Sequence, residues 1–257
     1  MADILPPPPA AVKPPTPYYS DDFVTLYHGD CRAVLATLAD QSVDCVITDP
    51  PFSARTHEMT RSNSQGAKRH GNRVLSGSFG FDSVTDDEIR EALAEAGRVS
   101  RGWVVANLDY RHAFTFDATP PPGLRLLRIG VWVKTNPNPQ ISGDRPAQGW
   151  EAIAYLHRDD RRPSWNGGGR AANFILGSDQ KTGHPTSKPL PMVAQFVRWF
   201  TNPGDLIFDG YAGSCTTGRA AKDEGRRAIL VEAEERFCEI GAKRLGQDVL
   251  DFGEASA

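Results

Sequence analysis

Apolar positions along this chain fall into short, near-continuous runs separated by stretches with helical spacing. The runs VDCVIT (43–48) and RAILVE (227–232) show little alternation, which suits strands covered on both faces. The pattern predicts strands over Val24–His28, Val43–Thr48, Trp103–Asn107, Leu126–Lys134, Trp150–His157, Asp205–Phe208 and Ala228–Val231. It predicts helices over Arg32–Ala39, Asp86–Val99, Leu190–Phe200, Ser214–Glu224 and Glu234–Leu245. Strands alternating with helices point to an α/β fold, a mostly parallel sheet with helices on both faces. The 257 residues suffice for one such domain with a full core, here placed over 21–250, and no internal repeat is visible.

Three stretches break the alternation. Residues 1–20, MADILPPPPAAVKPPTPYYS, lack backbone donors at many positions and favour polyproline II, so they are expected to be a disordered tail. Ser53–Ser78 is rich in Ser, Gly and Asn and carries Arg55, Arg61, Lys68, Arg69 and Arg73, with Glu58 the acidic residue among them. The segment 158–183 carries Arg158, Arg161, Arg162, Arg170 and Lys181, diluted by Asp159, Asp160 and Asp179. Insertions this long inside a domain are commonly functional or disordered. Solvated surface charge is the alternative reading of both.

Composition narrows the classes. Hydrophobic content is 39%, charged content 24% and net charge −3, as in an ordinary soluble protein. A globally basic nucleic-acid binder is excluded, so any positive surface must be local. Cys31, Cys45, Cys215 and Cys238 form no C-x-x-C pair and have no His at ligand spacing, so reduced thiols are expected and no metal site. No apolar run reaches the roughly 18 residues of a membrane span, and the start lacks a signal-peptide pattern. The expectation is a cytoplasmic protein with no membrane partner.

Chemistry concentrates in three places. A buried strand runs into Asp49-Pro50-Pro51-Phe52. In an open parallel sheet, ligands bind beyond the carboxyl ends of strands, where Asp49 would sit. The prolines hold the chain extended, so a carboxylate and a carbonyl can accept the two N–H bonds of a planar amino group while Phe52 stacks on its ring. The second place, Asp205–Gly218, reads strand, glycine-containing turn, helix start, the arrangement of a nucleotide loop, although it is neither G-x-G-x-x-G nor a P-loop. Glu232 closes the next strand, where a carboxylate can grip ribose hydroxyls. The third, His184-Pro185-Thr186-Ser187-Lys188-Pro189, precedes a helix and could meet a carboxylate there. Taken singly, the first could equally be a Pro-Pro turn and the third would be an ordinary N-cap, while a simple Gly-rich βα turn is the lesser alternative for the second.

In this order the segments resemble the β-class amino-methyltransferases of DNA, in which D-P-P-Y/F precedes a variable recognition region, H-P-T-x-K-P and D-x-F-A-G-S-G-T-T. His28-Gly29-Asp30-Cys31, Asn136–Gln140 and Gly149-Trp150-Glu151 resemble further family segments, so the likeness spans roughly residues 22–247. It implies a Rossmann-like methyltransferase fold with a seven-stranded sheet. It also implies S-adenosylmethionine as cofactor, double-stranded DNA as partner and a role in restriction–modification. Carried over, Asp49 and the Pro50 carbonyl bind the target amino group, Pro51 shapes the segment and Phe52 stacks on the base. The cofactor residues would be Asp30, Cys31, Asp49, Thr186, Ser187, Lys188, Phe208, Asp209, Gly210, Tyr211, Ala212, Gly213, Ser214, Thr216, Thr217 and Glu232. The arginines of both insertions, with Lys68, would hold phosphates and read base edges. The implied reaction is in-line attack of the amino nitrogen on the sulfonium methyl by a base flipped out of the duplex.

Three departures stand out: Phe52 for Tyr, Gly210-Tyr211 for Pro-Phe, and Cys215 for the second loop glycine, where a positive φ would strain a side chain. Adenine N6 is favoured over cytosine N4, whose enzymes more often carry Ser-Pro-Pro here. A homologue impaired in catalysis and an RNA or small-molecule methyltransferase stay open. The short recognition region is compatible with a homodimer or a short target.

Overall fold

The structure, a computed structural model, describes residues 15–52, 85–137, 139–140, 143–178 and 187–247. Its strands are β1 (Tyr19–Ser20), β2 (Val24–His28), β3 (Val43–Thr48), β4 (Ser100–Leu108), β5 (Leu124–Lys134), β6 (Trp150–Arg158), β7 (Phe174–Leu176), β8 (Leu206–Asp209) and β9 (Arg227–Glu232). Its helices are α1 (Cys31–Leu35), α2 (Asp86–Val99), α3 (Tyr110–Thr115), α4 (Leu190–Phe200), α5 (Thr216–Asp223) and α6 (Glu235–Leu245). All strands join one sheet, in the order β1-β2-β9-β8-β3-β4-β6-β5-β7. From β2 to β4 the neighbours are parallel, β6 runs antiparallel to β4 and β5, and β7 lies parallel to β5.

The run-like strands are buried on both faces because two apolar layers cover them. On one face α4, α5 and α6 supply Met192, Phe196, Val197, Ala220 and Cys238 against Cys45, Ile47, Val105 and Ile207. On the other, α1, α2 and α3 supply Val34, Ile89, Leu93 and Ala113 against Val46, Val104, Ala106 and Leu108. Each fully buried Leu, Ile or Phe here contributes about 1.5–3 kcal/mol. Helix α2 starts where a capping box fixes it: Thr85 accepts from Glu88 N, and Glu88 accepts from Thr85 N.

The sheet has nine strands among the described residues rather than the seven expected. Tyr19–Ser20, assigned to the disordered tail, pairs with β2, and Tyr18 N donates to Leu26 O at 2.8 Å. Residues 1–14 lie outside the described residues. Phe174–Leu176, inside the second insertion, adds an edge strand to β5. Helix α1 is shorter than Arg32–Ala39: beyond it Thr37 N donates to Val34 O at 2.9 Å and Leu38 N to Leu35 O at 3.1 Å in tighter turns, and Arg98 also bonds the carbonyls of Leu35 and Leu38, both at 2.9 Å. Helix α5 begins at Thr216, not Ser214, because Cys215 is left-handed, with φ 58°. Among the described residues no helix is long and apolar enough to cross a membrane.

Candidate active site

The carboxyl ends of β2, β3, β8 and β9 open at the same edge of the sheet, because these strands are parallel and adjacent. Gly29-Asp30-Cys31 leaves β2, Asp49 leaves β3, Gly210–Gly213 leaves β8 and Glu232 ends β9. Backbone contacts knit these turns: Gly29 N donates to Glu232 O and Ala212 N to Val231 O, both at 2.9 Å. Glu232, buried, accepts from Gly213 N at 2.7 Å and Glu234 N at 2.8 Å, which leaves lone pairs for further donors. Burial raises its pKa against those bonds. Asp209 accepts from Thr48 Oγ1 at 2.9 Å and Tyr211 N at 3.0 Å, and burial pushes it up to about 6. A side chain on Gly210 would lie 3.2 Å from Cys31 Cβ, so the two loops approach across a glycine. Asp30 caps α1 and pairs with exposed Arg32. Phe208 belongs to the core beneath.

Ser187, Ser214 and Thr216 are buried and bonded to one another. Ser187 Oγ lies 2.9 Å from Ser214 Oγ and 3.4 Å from Thr216 Oγ1, while Arg244 donates to Thr216 Oγ1 at 2.9 Å. Their hydroxyls tie the start of α4 to the start of α5. Thr217 is also buried and bonds the Asp209 carboxylate. Thr186, with His184 and Pro185, lies outside the described residues.

Cys215 adopts the left-handed conformation its position demands, at a cost of about 1–2 kcal/mol for a residue with a side chain. Its thiol is fully buried and turned toward α6, where a Cβ on Gly241 would meet Sγ at 2.3 Å. The loop shape is therefore retained and the extra side chain is accommodated by a missing one on α6. Gly241→Ala would ordinarily favour a helix; here it is expected to destabilise the protein by about 1–3 kcal/mol, read by urea unfolding. Cys215→Gly in the same chain should recover most of that loss. An unchanged midpoint in Gly241→Ala would contradict the packing.

At the end of β3 the two-residue step that buries Cys45 and Ile47 carries on to Asp49. The same face continues from Val105 to Asn107 on β4, from Ile153 to Glu151 on β6 and from Trp132 to Lys134 on β5. Lys188, just before α4, closes over this row. Its ammonium pairs with Asp49 Oδ2, lies 3.4 Å from Glu151 Oε2 and 5.7 Å from the centre of the Phe52 ring. Lys134 Nζ lies 2.6 Å from Glu151 Oε1. Asp49 Oδ1 and Asn107 Oδ1 are buried with no hydrogen-bond partner among the described residues. Glu151 Oε2 is likewise buried without a hydrogen bond among the described residues; an unpaired buried acceptor is costly, so a site holding three is fitted to a donor. Burial raises Asp49 to about 6, with Lys188 opposing and Glu151 adding to the rise.

Residues 164–243 match the DNA methylase family, N6_N4_Mtase. The Type II methyltransferase M2.DpnII of Streptococcus pneumoniae is 27% identical over 258 residues, 89% of this chain and 92% of that protein. These matches make the chain similar to the amino-methyltransferases of this family. Its fold agrees: M1.HpyAVI in complex with SAM superposes with a TM-score of 0.63 at 23% identity, covering 87% of this chain and 100% of the other. The cytosine-N4-specific PvuII DNA methyltransferase gives a TM-score of 0.68 at 17% identity, covering 91% and 90%.

In this chain the predicted residues Asp30, Cys31, Asp49, Lys188, Asp209–Gly213 and Glu232 come to one edge of the sheet, with Pro50, Pro51 and Phe52 following Asp49. The basic candidates divide. Arg158 and Arg161 sit where β6 ends, beside the start of β4, at the opposite end of the sheet from Asp49. Arg158 donates to Gly97 O and pairs with Asp160, while Arg161 donates to Arg101 O and Gln41 Oε1. Both clamp loops at that end of the sheet. Arg162 and Arg170 are exposed. Arg55, Arg61, Lys68, Arg69 and Arg73 lie outside the described residues, as does Lys181. Sequence reasoning missed Lys134, Asn107 and the contact of Glu151 with Lys188; the available signal was a polar residue at the end of each apolar strand.

Proposed function

We propose that this chain transfers a methyl group from S-adenosylmethionine to the exocyclic amino nitrogen of a DNA base, adenine N6, at Asp49-Pro50-Pro51-Phe52, in a restriction–modification setting. The observation that carries the reading is Asp49 Oδ1, a buried acceptor with no hydrogen-bond partner among the described residues, beside two prolines and an aromatic ring at the carboxyl end of the sheet. Adenine is favoured because the segment begins with Asp rather than Ser. The relative M2.DpnII is a Type II methyltransferase, and the M1.HpyAVI structure is a complex with SAM.

The residues fit the cofactor. Glu232 keeps free lone pairs at the end of β9 for ribose hydroxyls, Asp30 and Cys31 flank the cleft from β2, and Gly210–Gly213 form its floor. Asp49 and Lys188 close the end where the reacting atoms meet. Bound there, S-adenosylmethionine supplies an electrophilic sulfonium methyl carbon.

The amino nitrogen of a base is a poor nucleophile because its lone pair is delocalised into the ring. Asp49 Oδ1 and the Pro50 carbonyl accept its N–H bonds and favour the pyramidal nitrogen on which positive charge develops. Phe52 stacks behind the base, and the rigid Pro-Pro backbone fixes both acceptors relative to it. The target base leaves the duplex to reach them. The basic residues of segment 53–78, which follows Phe52 directly, and exposed Arg162 and Arg170 supply phosphate contacts.

Nucleosides released from duplex DNA treated with the protein and S-adenosylmethionine decide the reading. N6-methyladenine is the expected product; N4-methylcytosine would overturn the choice of base, and no methylated nucleoside would overturn the reaction. A pH dependence follows as well. Asp49 acts as a carboxylate, so methylation should fall as pH drops through about 6, where Asp49 gains its proton. A rate that stays flat down to pH 5 would contradict this.

A further inference from the structure

Asp49 is one end of a buried chain of alternating charges. Lys188 is 7% exposed and Glu151 10%, while Asp49 and Lys134 at the two ends are each 25% exposed. The contacts run Asp49–Lys188–Glu151–Lys134, from the end of β3 through the residue before α4 to the β5–β6 pair. Trp132 pairs with Glu151 across β5 and β6, and Lys134 lies two residues along from Trp132 on the same face, so strand register itself sets Lys134 against Glu151. We propose that Glu151 is a positioning residue for the reacting carboxylate: it shares the Lys188 ammonium with Asp49, and Lys134 behind it fixes how much of that ammonium Asp49 retains.

This rests on the reading of Asp49 given above. A lysine ammonium has three N–H bonds and, when buried, little water to satisfy them. Two carboxylates compete for the one on Lys188. Burial works against the ionised form of Glu151, but Lys188 and Lys134 together hold it below the usual carboxylate range. Asp49 faces one ammonium, from Lys188, and two like charges, from Glu151 and from Asp209 at the end of β8, so it sits higher. Lys134 acts on Asp49 through Glu151. The chain thus holds Asp49 in place while leaving its carboxylate basic, so that Oδ1 is a strong acceptor for a bound amino group.

The test follows the acid limb of methylation with intact protein, S-adenosylmethionine and duplex DNA. In parallel, a carboxyl ¹³C NMR titration of Asp49 is run without DNA or cofactor. Glu151→Gln keeps the shape, removes a negative charge and frees Lys188, so both midpoints should fall by about one pH unit. Lys134→Met leaves Glu151 to draw on Lys188, so both should rise by a similar amount. Lys134→Arg should restore the original midpoint, and the double variant Lys134→Met/Glu151→Gln should match Glu151→Gln alone. A merely structural role would not produce opposite shifts. Shifts in the same direction, or none, would overturn the proposal. Should Glu151→Gln fail to fold, the Lys134 variants, at the more exposed end, still decide it. If instead Asp49→Asn retained full activity, the reading of Asp49 would fail, while the titration would still report whether Glu151 and Lys134 tune it.

Discussion

Asp49→Asn is expected to bind S-adenosylmethionine and remain folded while losing about 100- to 1000-fold in methylation rate. The substitution conserves shape, so Pro50, Pro51 and Phe52 keep their places. What changes is the chemistry at two oxygens. Oδ2 pairs with Lys188, and that ammonium demands an acceptor. The Asn carbonyl must turn to it, which leaves the amide NH2 where Oδ1 stood. A donor then faces the amino group of the target base, and the negative charge that stabilised the developing cation is gone. Lys188 still has Glu151, 3.4 Å away, so the buried ammonium is not orphaned and the fold survives. Isothermal calorimetry with S-adenosylmethionine and single-turnover methylation separate the two effects. Loss of cofactor affinity with an unaltered single-turnover rate would move Asp49 from the reacting centre to the cofactor site.

Much of this site was legible in the sequence because its parts are local. Strands β2 and β3 and helices α2 and α4 begin and end where the apolar pattern and the caps put them, since each is bounded by a residue that cannot continue it: Gly29 after β2, Asp49-Pro50 after β3, Thr85 before α2, Pro189 before α4. The parallel order then carries Asp49, Asp209 and Glu232 to one edge without further information. What stayed hidden depends on register between distant segments. Tyr19–Ser20 reads as the end of a proline-rich tail, and only its pairing with β2 makes it a strand. Tyr110–Thr115 is six residues long, too short for helical periodicity to show.

Charged residues illustrate the same limit. Arg158 and Arg161 share a basic segment with Arg162, yet their guanidinium groups are taken by Gly97 O and Arg101 O, residues 61 and 60 positions away. A linear count of charges does not distinguish a clamp from a phosphate contact. Lys188 was expected near the cofactor, and its contacts with Asp49 and Glu151, which depend on the pairing of distant strands, were not visible in the sequence. Cys215 is the converse case. Its departure from glycine was visible, but Gly241, the residue that accommodates it, lies on another helix.

Lys188→Met should cost the folded protein about 3–5 kcal/mol at pH 7.5, the size expected when one partner of a buried ion pair is removed. Methionine fills nearly the same volume, so the loss is electrostatic rather than a cavity. Without the ammonium, Asp49 and Glu151 are two buried carboxylates with Lys134 as their cation, and Lys134 touches Glu151. Asp49, already raised to about 6 with Lys188 present, must rise further when it is absent. A carboxylate whose pKa is higher folded than unfolded binds its proton more readily in the folded state. Its folded form is therefore favoured below the unfolded value near 4 and loses stability as pH climbs through the folded value. The deficit of Lys188→Met should accordingly shrink toward pH 5 and widen toward pH 8, measured as the difference in urea unfolding free energy from the parent protein. A deficit of equal size at both ends of that range would mean that Lys188 acts through packing of its stem, and the charge chain would lose its energetic basis.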